Sequence, residues 1–110
     1  RVSAAEGARL VAEEAAVLLD VRPRERYAVA SVAGSWNVPL SELTDERVAE
    51  VCARAGGPSP VPVVVMCQRG NDSQLAAGAL RAAGLERAVD VAGGLELWKR
   101  HVAPDFPLLT

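Results

Sequence analysis

The chain has 110 residues, of which 50% are hydrophobic and 24% are charged, with a net charge of −2 and a pI of about 5.4. This length supports one hydrophobic core and is too short for two. The weakly acidic balance disfavours a nucleic-acid or anionic-membrane ligand, and no apolar run approaches the roughly 20 residues of a membrane helix. We therefore expect one globular domain in the cytoplasm, with no direct nucleic-acid partner and no membrane partner.

The first half of the chain predicts helices and strands in alternation. Ser3 followed by Glu6 forms a capping box, so "AAEGARLVAEE" is predicted to be the first helix. The apolar run "AVLLDV" is typical of a buried parallel strand, and "VAGSWNVPL" contains a second short strand. The segment "TDERVAEVCARAGG" predicts a helix that ends at two glycines, Gly56 and Gly57. Its apolar stripe has helical spacing and consists of Val48, Val51, Cys52 and Ala55.

The second half continues the same alternation. "VVVM" is the most apolar strand candidate and is expected at the centre of the sheet, with "AVDVAGG" as a further strand and "LELWKRH" as a last helix. A helix between them is predicted to end before Gly84. Its predicted apolar stripe is Leu75, Ala76, Ala79, Leu80 and Ala83. The pattern predicts an α/β fold with a mainly parallel central sheet of about five strands and helices on both faces.

Two cysteines, Cys52 and Cys67, are the sulfur nucleophiles of the sequence. They lie far apart without a CxxC spacing, and His101 is the single histidine, so we expect no metal site. Nothing indicates secretion, so both thiols are expected to be reduced. Cys52 lies on a helical stripe, where core packing is the favoured interpretation and a resolving thiol the alternative. His101 ends a predicted helix, where its charge when protonated would be favourable.

Cys67 ends the predicted central strand, and a polar loop then leads into a helix that should begin near Ser73. A free thiol is mostly protonated at neutral pH, and only the thiolate is a strong nucleophile. The helix end would stabilise an anion by about 0.3–1 kcal/mol, or up to ~2 when partly buried. Backbone amides of the loop, curled with the help of Gly70, and the nearby cation of Arg69 would have to add to this. The pattern predicts nucleophilic catalysis through a covalent sulfur intermediate.

The chain resembles a rhodanese domain over nearly its whole length. Four segments occur in the order typical of that domain: "LLDVRPRERY", "VAGSWNVPL", "VVVMCQRGND" and "DVAGGLELW". "CQRGNDSQ" and "GGLELWKRHVAPDFPLL" resemble more closely the C-terminal sulfurtransferase domain of eukaryotic adenylyltransferase–sulfurtransferases. Those proteins act in molybdenum cofactor biosynthesis and tRNA thiolation. The resemblance implies a rhodanese-like fold and a sulfurtransferase activity.

The resemblance also implies roles for individual residues. Cys67 would carry a persulfide, and the residues expected to wrap it are Gln68, Arg69, Gly70, Asn71, Asp72 and Ser73. A cysteine desulfurase would donate the sulfur, and a ubiquitin-like sulfur carrier protein would accept it after adenylation of its C-terminus. The chain starts at Arg1 without a methionine, and is expected to be one rhodanese-like domain, 1–110, from the C-terminal end of a longer protein. We expect no cofactor in this domain, since ATP and zinc would belong to an N-terminal domain.

Asp72 stands where many thiosulfate-using rhodaneses have a cation. A carboxylate at this position would repel a small dianionic donor. Asp72 and Arg69 are therefore the candidate determinants of donor specificity, with a protein persulfide preferred over thiosulfate. Asn71 and Asp72 are also suited to cap the following helix, and for Asn71 capping alone remains an open alternative. Arg69 could equally be a solvated surface charge.

Several further residues have a structural interpretation beside a functional one. Asp20 and Arg22 follow a buried strand, and are expected to form hydrogen bonds and an ion pair with Glu25 that support the neighbouring loop. Contact of Arg22 with a protein partner is the minority alternative. Trp36 and Trp98 are expected to pack in or around the core.

Three other functions remain to be separated from a protein-fed sulfurtransferase. A cysteine-dependent phosphatase or arsenate reductase needs an arginine six residues after the cysteine for bidentate phosphate contacts, and Ser73 occupies that position here. A non-catalytic interaction module would be expected to lack the nucleophile, which this chain retains. A stand-alone thiosulfate sulfurtransferase is the remaining alternative if the longer protein has no adenylating domain.

Overall fold

Short parallel strands alternate with helices along residues 1–56 and 60–107, the part of the chain that the computed structural model describes. The helices are α1 (Ala4–Glu14), α2 (Arg24–Val29), α3 (Asp45–Ala55), α4 (Asp72–Ala82) and α5 (Gly94–His101). The strands are β1 (Val17–Asp20), β2 (Trp36–Asn37), β3 (Val63–Met66) and β4 (Ala88–Asp90), and a short 3-10 helix covers Leu40–Glu42. No helix within these residues is long and apolar enough to cross a membrane.

The sheet is parallel, with the strand order β2-β1-β3-β4. All four residues of β3 are buried, which confirms its predicted central place. The expected count of about five strands is wrong, because the described residues form four. A lone bridge between Val2 and Val91 stands where a fifth strand would pair. It stops after one residue because Ser3 caps α1, and the chain turns into that helix.

Helices cover both faces of the sheet, as the sequence predicts. One face packs against α3 and α4, with Val51 and Leu80 among its fully buried side chains. The other face packs against α1 and α5, through Leu10 and Trp98. Because strands of four residues or fewer are covered on both sides, their sequences are nearly all apolar instead of alternating. The α/β fold is thereby confirmed.

Local capping explains the starts of two helices. Ser3 Oγ accepts a hydrogen bond from the Glu6 amide at 3.1 Å, and α1 has the predicted bounds. Thr44 Oγ1 accepts from the Arg47 amide at 3.3 Å at the start of α3. That helix ends at Gly56, whereas the other predicted terminator, Gly57, lies outside the described residues.

The predicted buried face of α4 is wrong. The residues that the structure buries are Ser73, Ala76, Ala77 and Leu80. Leu75 is 66% exposed, and Ala79 and Ala83 face solvent. The alanines make both faces of this helix similarly apolar, so the pattern alone does not fix the rotation of the helix. The loop before the helix fixes it by placing Ser73 beside Cys67.

Helix α2 was not predicted. Its sequence, "RERYAV", has no apolar stripe, and none of its residues is buried. The helix is set by Pro23, whose carbonyl accepts from the amides of Arg26 and Tyr27. It fills the connection between β1 and β2 and leads to Ala30, whose carbonyl is bound by Arg22.

Candidate active site

The sulfur of Cys67 lies at the carboxyl end of β3, where ligand sites form in parallel α/β sheets. The residue is only 4% exposed. The Gly70 amide donates a hydrogen bond to Sγ at 3.0 Å, and Sγ lies 3.4 Å from Ser73 Oγ. A thiol donates to this hydroxyl, whereas a thiolate would accept from it. The sulfur therefore has two hydrogen-bonding partners, the Gly70 amide in the loop and the Ser73 hydroxyl in α4.

The loop 67–72, which we call the active-site loop, packs against the first turn of α5. The Leu95 amide donates to the Cys67 carbonyl at 2.9 Å, and the Glu96 amide donates to the Gln68 carbonyl at 3.2 Å. These two amides lie in the first turn of α5, where they have no partner within the helix. The helix start therefore binds two carbonyls of the loop.

This contact determines where the amides of the active-site loop point. In a trans peptide the C=O and N–H bonds point in opposite directions. Because the carbonyls of Cys67 and Gln68 face α5, the N–H groups of Gln68 and Arg69 face away from α5. Those two amides are therefore not used by α5, and the Gly70 amide already donates to the sulfur.

The start of α4 adds further donors. Asn71, at the N-cap position, has a helical backbone and makes no side-chain capping hydrogen bond. The interpretation of Asn71 as only a helix cap is therefore wrong. Helix α4 begins at Asp72, one residue before the expected start, and its first-turn amides are left without a side-chain cap. This helix end lies beside the sulfur of Cys67, and it would stabilise an anion bound there.

A small open pocket, with a volume of about 160 Å³, leads to the sulfur. Its walls consist of Pro23 and six residues singled out in the sequence: Arg22, Cys67, Gln68, Arg69, Asn71 and Asp72. Ser73 is fully buried beside the sulfur. A larger cavity of about 380 Å³, near Trp36 and Arg54 at the start of β1, has no cysteine in its wall.

Asp20 and Arg22 form a buried ion pair behind the pocket, with exposures of 2% and 3%. Arg22 Nη2 donates to Asp20 Oδ2 at 2.8 Å and to the Ala30 carbonyl at 2.6 Å. Asp20 and Arg22 therefore pair with each other, and the expected ion pair with Glu25 is wrong. Asn37 Nδ2 donates to the carbonyls of Asp20 and Arg22, both at 3.0 Å. Sequence reasoning missed Asn37, although its place on the strand next to β1 was a usable signal.

The charges at the pocket mouth are largely neutralised. Arg69 Nε donates to Glu96 Oε2 at 2.8 Å, so Arg69 is a paired surface residue instead of a lone cation. Sequence reasoning missed Glu96, because it is distant in the chain. Asp72 is exposed and forms no ion pair with the residues that the structure describes. The mouth therefore has one unpaired carboxylate and no unpaired cation in its wall.

The remaining candidate residues lie away from the sulfur. Cys52 is half-buried on α3 and, like Cys67, is a free cysteine. Trp98 packs in the core, and Trp36 is half-buried with the Arg54 guanidinium 4.6 Å from its ring centre, so both tryptophans pack as expected. His101 is the exposed last residue of α5. In the described ranges no three His, Cys, Asp or Glu side chains cluster to hold a metal ion.

Comparison with known proteins identifies related chains. The model of the rhodanese-like domain family matches residues 3–101. The adenylyltransferase and sulfurtransferase MOCS3 of Oryza sativa subsp. japonica is 46% identical over 98 residues, covering 84% of this chain and 22% of that protein. The adenylyltransferase and sulfurtransferase uba4 of Ogataea parapolymorpha is 39% identical over 100 residues, covering 91% and 24%. The chain thus spans less than a quarter of these curated relatives.

Solved structures agree with this result. The human single-domain sulfurtransferase TSTD1 superposes with a TM-score of 0.71 at 31% identity, covering 91% of this chain and 95% of that chain. A rhodanese-related protein from Thermoplasma volcanium gives a TM-score of 0.72 at 29% identity, covering 98% and 95%. Since the family model covers all but the two ends of the sequence, the chain belongs to the rhodanese-like domain family.

Proposed function

We propose that this domain is a sulfurtransferase that carries sulfur as a persulfide on Cys67. The observation that carries the proposal is the sulfur's surroundings. Sγ is buried, receives the Gly70 amide at 3.0 Å, and lies at the base of a small pocket. An anion on the outer sulfur of a persulfide would gain hydrogen bonds from the same loop, without a metal or an organic cofactor.

Loading of Cys67 conserves atoms and electrons without an added oxidant. The Cys67 thiolate attacks the outer sulfur of a persulfide on a donor protein. A new S–S bond forms on Cys67, the donor's S–S bond breaks, and the donor's cysteine leaves as a thiolate. The amides of the active-site loop then bind the new terminal sulfur, which holds most of the negative charge.

Delivery of the sulfur needs an activated acceptor. The terminal sulfur of the Cys67 persulfide attacks the acyl-adenylate at the C-terminus of a ubiquitin-like sulfur carrier, and AMP leaves as the C–O bond breaks. The resulting acyl disulfide is cleaved by a thiol that attacks Cys67 Sγ, which releases the carrier's thiocarboxylate. A second thiol then restores Cys67, so two thiols supply the two electrons that the transfer consumes.

The relatives and the charges at the pocket mouth support one pair of partners. The rice and yeast relatives are named as adenylyltransferases and sulfurtransferases, which supports an adenylated carrier protein as the acceptor in molybdenum cofactor biosynthesis and tRNA thiolation. The unpaired carboxylate of Asp72 at the mouth, with Arg69 and Arg22 each paired to a carboxylate, disfavours dianionic thiosulfate. A protein persulfide from a cysteine desulfurase, in the cytoplasm, is therefore the proposed donor.

The second candidate is a stand-alone thiosulfate sulfurtransferase. The match over 95% of the human single-domain sulfurtransferase favours this alternative, because that protein consists of little more than the matched domain. The two candidates share the persulfide on Cys67 and differ in the donor. A comparison of thiosulfate with a desulfurase persulfide, at equal sulfur concentration, distinguishes them.

The experiment is to incubate the protein with a cysteine desulfurase and cysteine, and to search by mass spectrometry for one added sulfur atom. We expect the adduct on Cys67, its loss in Cys67→Ala, and its retention in Cys52→Ser, which is the matched control because Cys52 is the other free cysteine. Absence of the adduct under conditions that load a control rhodanese would favour an interaction module without sulfur transfer.

A further inference from the structure

The side chain of Arg1 contacts the active-site loop from the start of the chain. Its Nη2 donates to the Gly70 carbonyl at 2.7 Å and to Asp90 Oδ2 at 2.8 Å, while Nε donates to the same carboxylate oxygen at 3.0 Å. We propose that Arg1 is a positioning residue for sulfur transfer, which holds the loop so that the Gly70 amide stays on the Cys67 sulfur. This inference rests on the proposed sulfur-transfer function.

Arg1 is anchored by contacts that do not involve the loop. The Val2 amide donates to the Asp90 carbonyl at 2.8 Å, and the Ala92 amide donates to the Val2 carbonyl at 2.8 Å. The Asp90 carboxylate is nearly buried, and Arg1 is the one side chain of the described residues that donates to it. Since a buried carboxylate needs a partner, the guanidinium is bound to the end of β4 independently of the loop.

Gly70 lies between this anchor and the sulfur. Its φ is +100°, and a Cβ at this position would lie 3.0 Å from the Gly93 nitrogen and 3.3 Å from Arg1 Nη2. Only glycine tolerates this backbone conformation without strain. The Gly70 amide binds the sulfur, and the Gly70 carbonyl binds Arg1. Because both groups are attached to the same Cα atom, a shift of the carbonyl would also move the amide.

The Gly70 carbonyl also fixes the next peptide. Because C=O and N–H are antiparallel in a trans peptide, the Asn71 N–H points away from Arg1. Gln74 Nε2 donates to the same carbonyl at 3.1 Å, so two side chains hold it. Arg1 has the shorter contact, and its donor is charged, which makes it the stronger of the two.

The effect of Arg1 on the loop is geometric. Asp90 neutralises its charge, so the guanidinium adds little net potential at the sulfur. A planar guanidinium spans the carboxylate and the carbonyl with a fixed set of donors, which the compact ammonium of lysine cannot reproduce. Arg1→Lys therefore keeps the charge and loses the geometry, whereas Arg1→Gln loses both.

The experiment compares the Arg1→Gln and Arg1→Lys variants with the wild-type protein. Arg9→Gln is the control, because Arg9 forms only exposed ion pairs on α1. The readouts are the rate of Cys67 persulfide loading at saturating donor, the half-saturating donor concentration, the alkylation rate of Cys67, and the NMR resonance of the Gly70 amide. We expect both Arg1 variants to load about tenfold more slowly or worse, at an unchanged half-saturating concentration. The Gly70 resonance should shift, and Arg9→Gln should match the wild type.

Loading at the wild-type rate by a folded Arg1→Lys or Arg1→Gln protein, with an unmoved Gly70 resonance, would overturn the inference. An equal slowing in Arg9→Gln would overturn it too. If Arg1→Gln unfolds, Arg1→Lys decides, because it retains a cation opposite Asp90. If the wild type itself accepts no sulfur, the proposed function fails, and the alkylation rate and the Gly70 resonance still test the role of Arg1.

Discussion

Replacing Gly94 by alanine should distort the active-site loop, because Gly94 packs against the backbone of that loop. Gly94 has a φ of +58°, and a Cβ there would lie 2.4 Å from the Cys67 carbonyl oxygen and 2.8 Å from the Arg69 nitrogen. Both contacts are with backbone atoms, which cannot move aside as a flexible side chain can. Either α5 or the loop has to shift, and the hydrogen bond from the Leu95 amide to Cys67 is then lengthened.

The expected cost follows from two effects. A left-handed backbone costs an L-residue about 1–2 kcal/mol, and forcing extra atoms into a packed site costs about 1–3 kcal/mol more. Gly94→Ala should therefore lower the free energy of unfolding by about 2–5 kcal/mol. Gly34→Ala is the matched control, because Gly34 has a φ of +80° and no atom within 4 Å of the added Cβ. It should show only the backbone effect.

Urea unfolding followed by tryptophan fluorescence measures this difference, since Trp98 is buried in the core beside α1. The loading rate of Cys67 in the folded fraction measures the damage to the loop. We expect Gly94→Ala to be less stable than Gly34→Ala and to load sulfur more slowly. Equal stabilities for the two variants, or wild-type loading in Gly94→Ala, would refute the proposed coupling between α5 and the loop.

Three other predictions concern charge and burial. Asp72→Arg should raise thiosulfate turnover, and Glu96→Gln should raise it as well, because it leaves the Arg69 guanidinium at the mouth unpaired. Assays with thiosulfate and cyanide measure this turnover, and an unchanged rate would contradict the charge argument. Asp20→Ala leaves the buried Arg22 guanidinium unpaired and should cost about 3–5 kcal/mol in urea unfolding. Leu75→Ala should change the unfolding free energy by less than about 0.5 kcal/mol, because Leu75 faces solvent; a larger loss would contradict the described orientation of α4.

The sequence predicts best what depends on neighbouring residues. The Ser3 cap and the glycine after α3 are local signals, and both helices have the expected extent. The position of Cys67 at the end of a buried strand follows from the step between an apolar run and a polar loop. Resemblance to the rhodanese family then adds the family's fold and a sulfurtransferase activity, which periodicity does not contain.

Contacts between distant residues are harder to predict. The bond of Arg1 to Gly70 and the ion pair of Arg69 with Glu96 join residues that only the fold brings together. The rotation of α4 is missed for a different reason, because alanine is compatible with either face. The predicted number of strands is too high because only Val2 pairs at the edge where a fifth strand would lie, and the next residue, Ser3, already caps a helix.

The depth of the Cys67 sulfur restricts the shape of whatever reaches it. The residue is 4% exposed, and the pocket above it holds about 160 Å³, which is too little for a folded surface to enter. A partner must therefore extend its reacting atom on a slender, flexible strip of chain, such as a loop tip or a free carboxyl end.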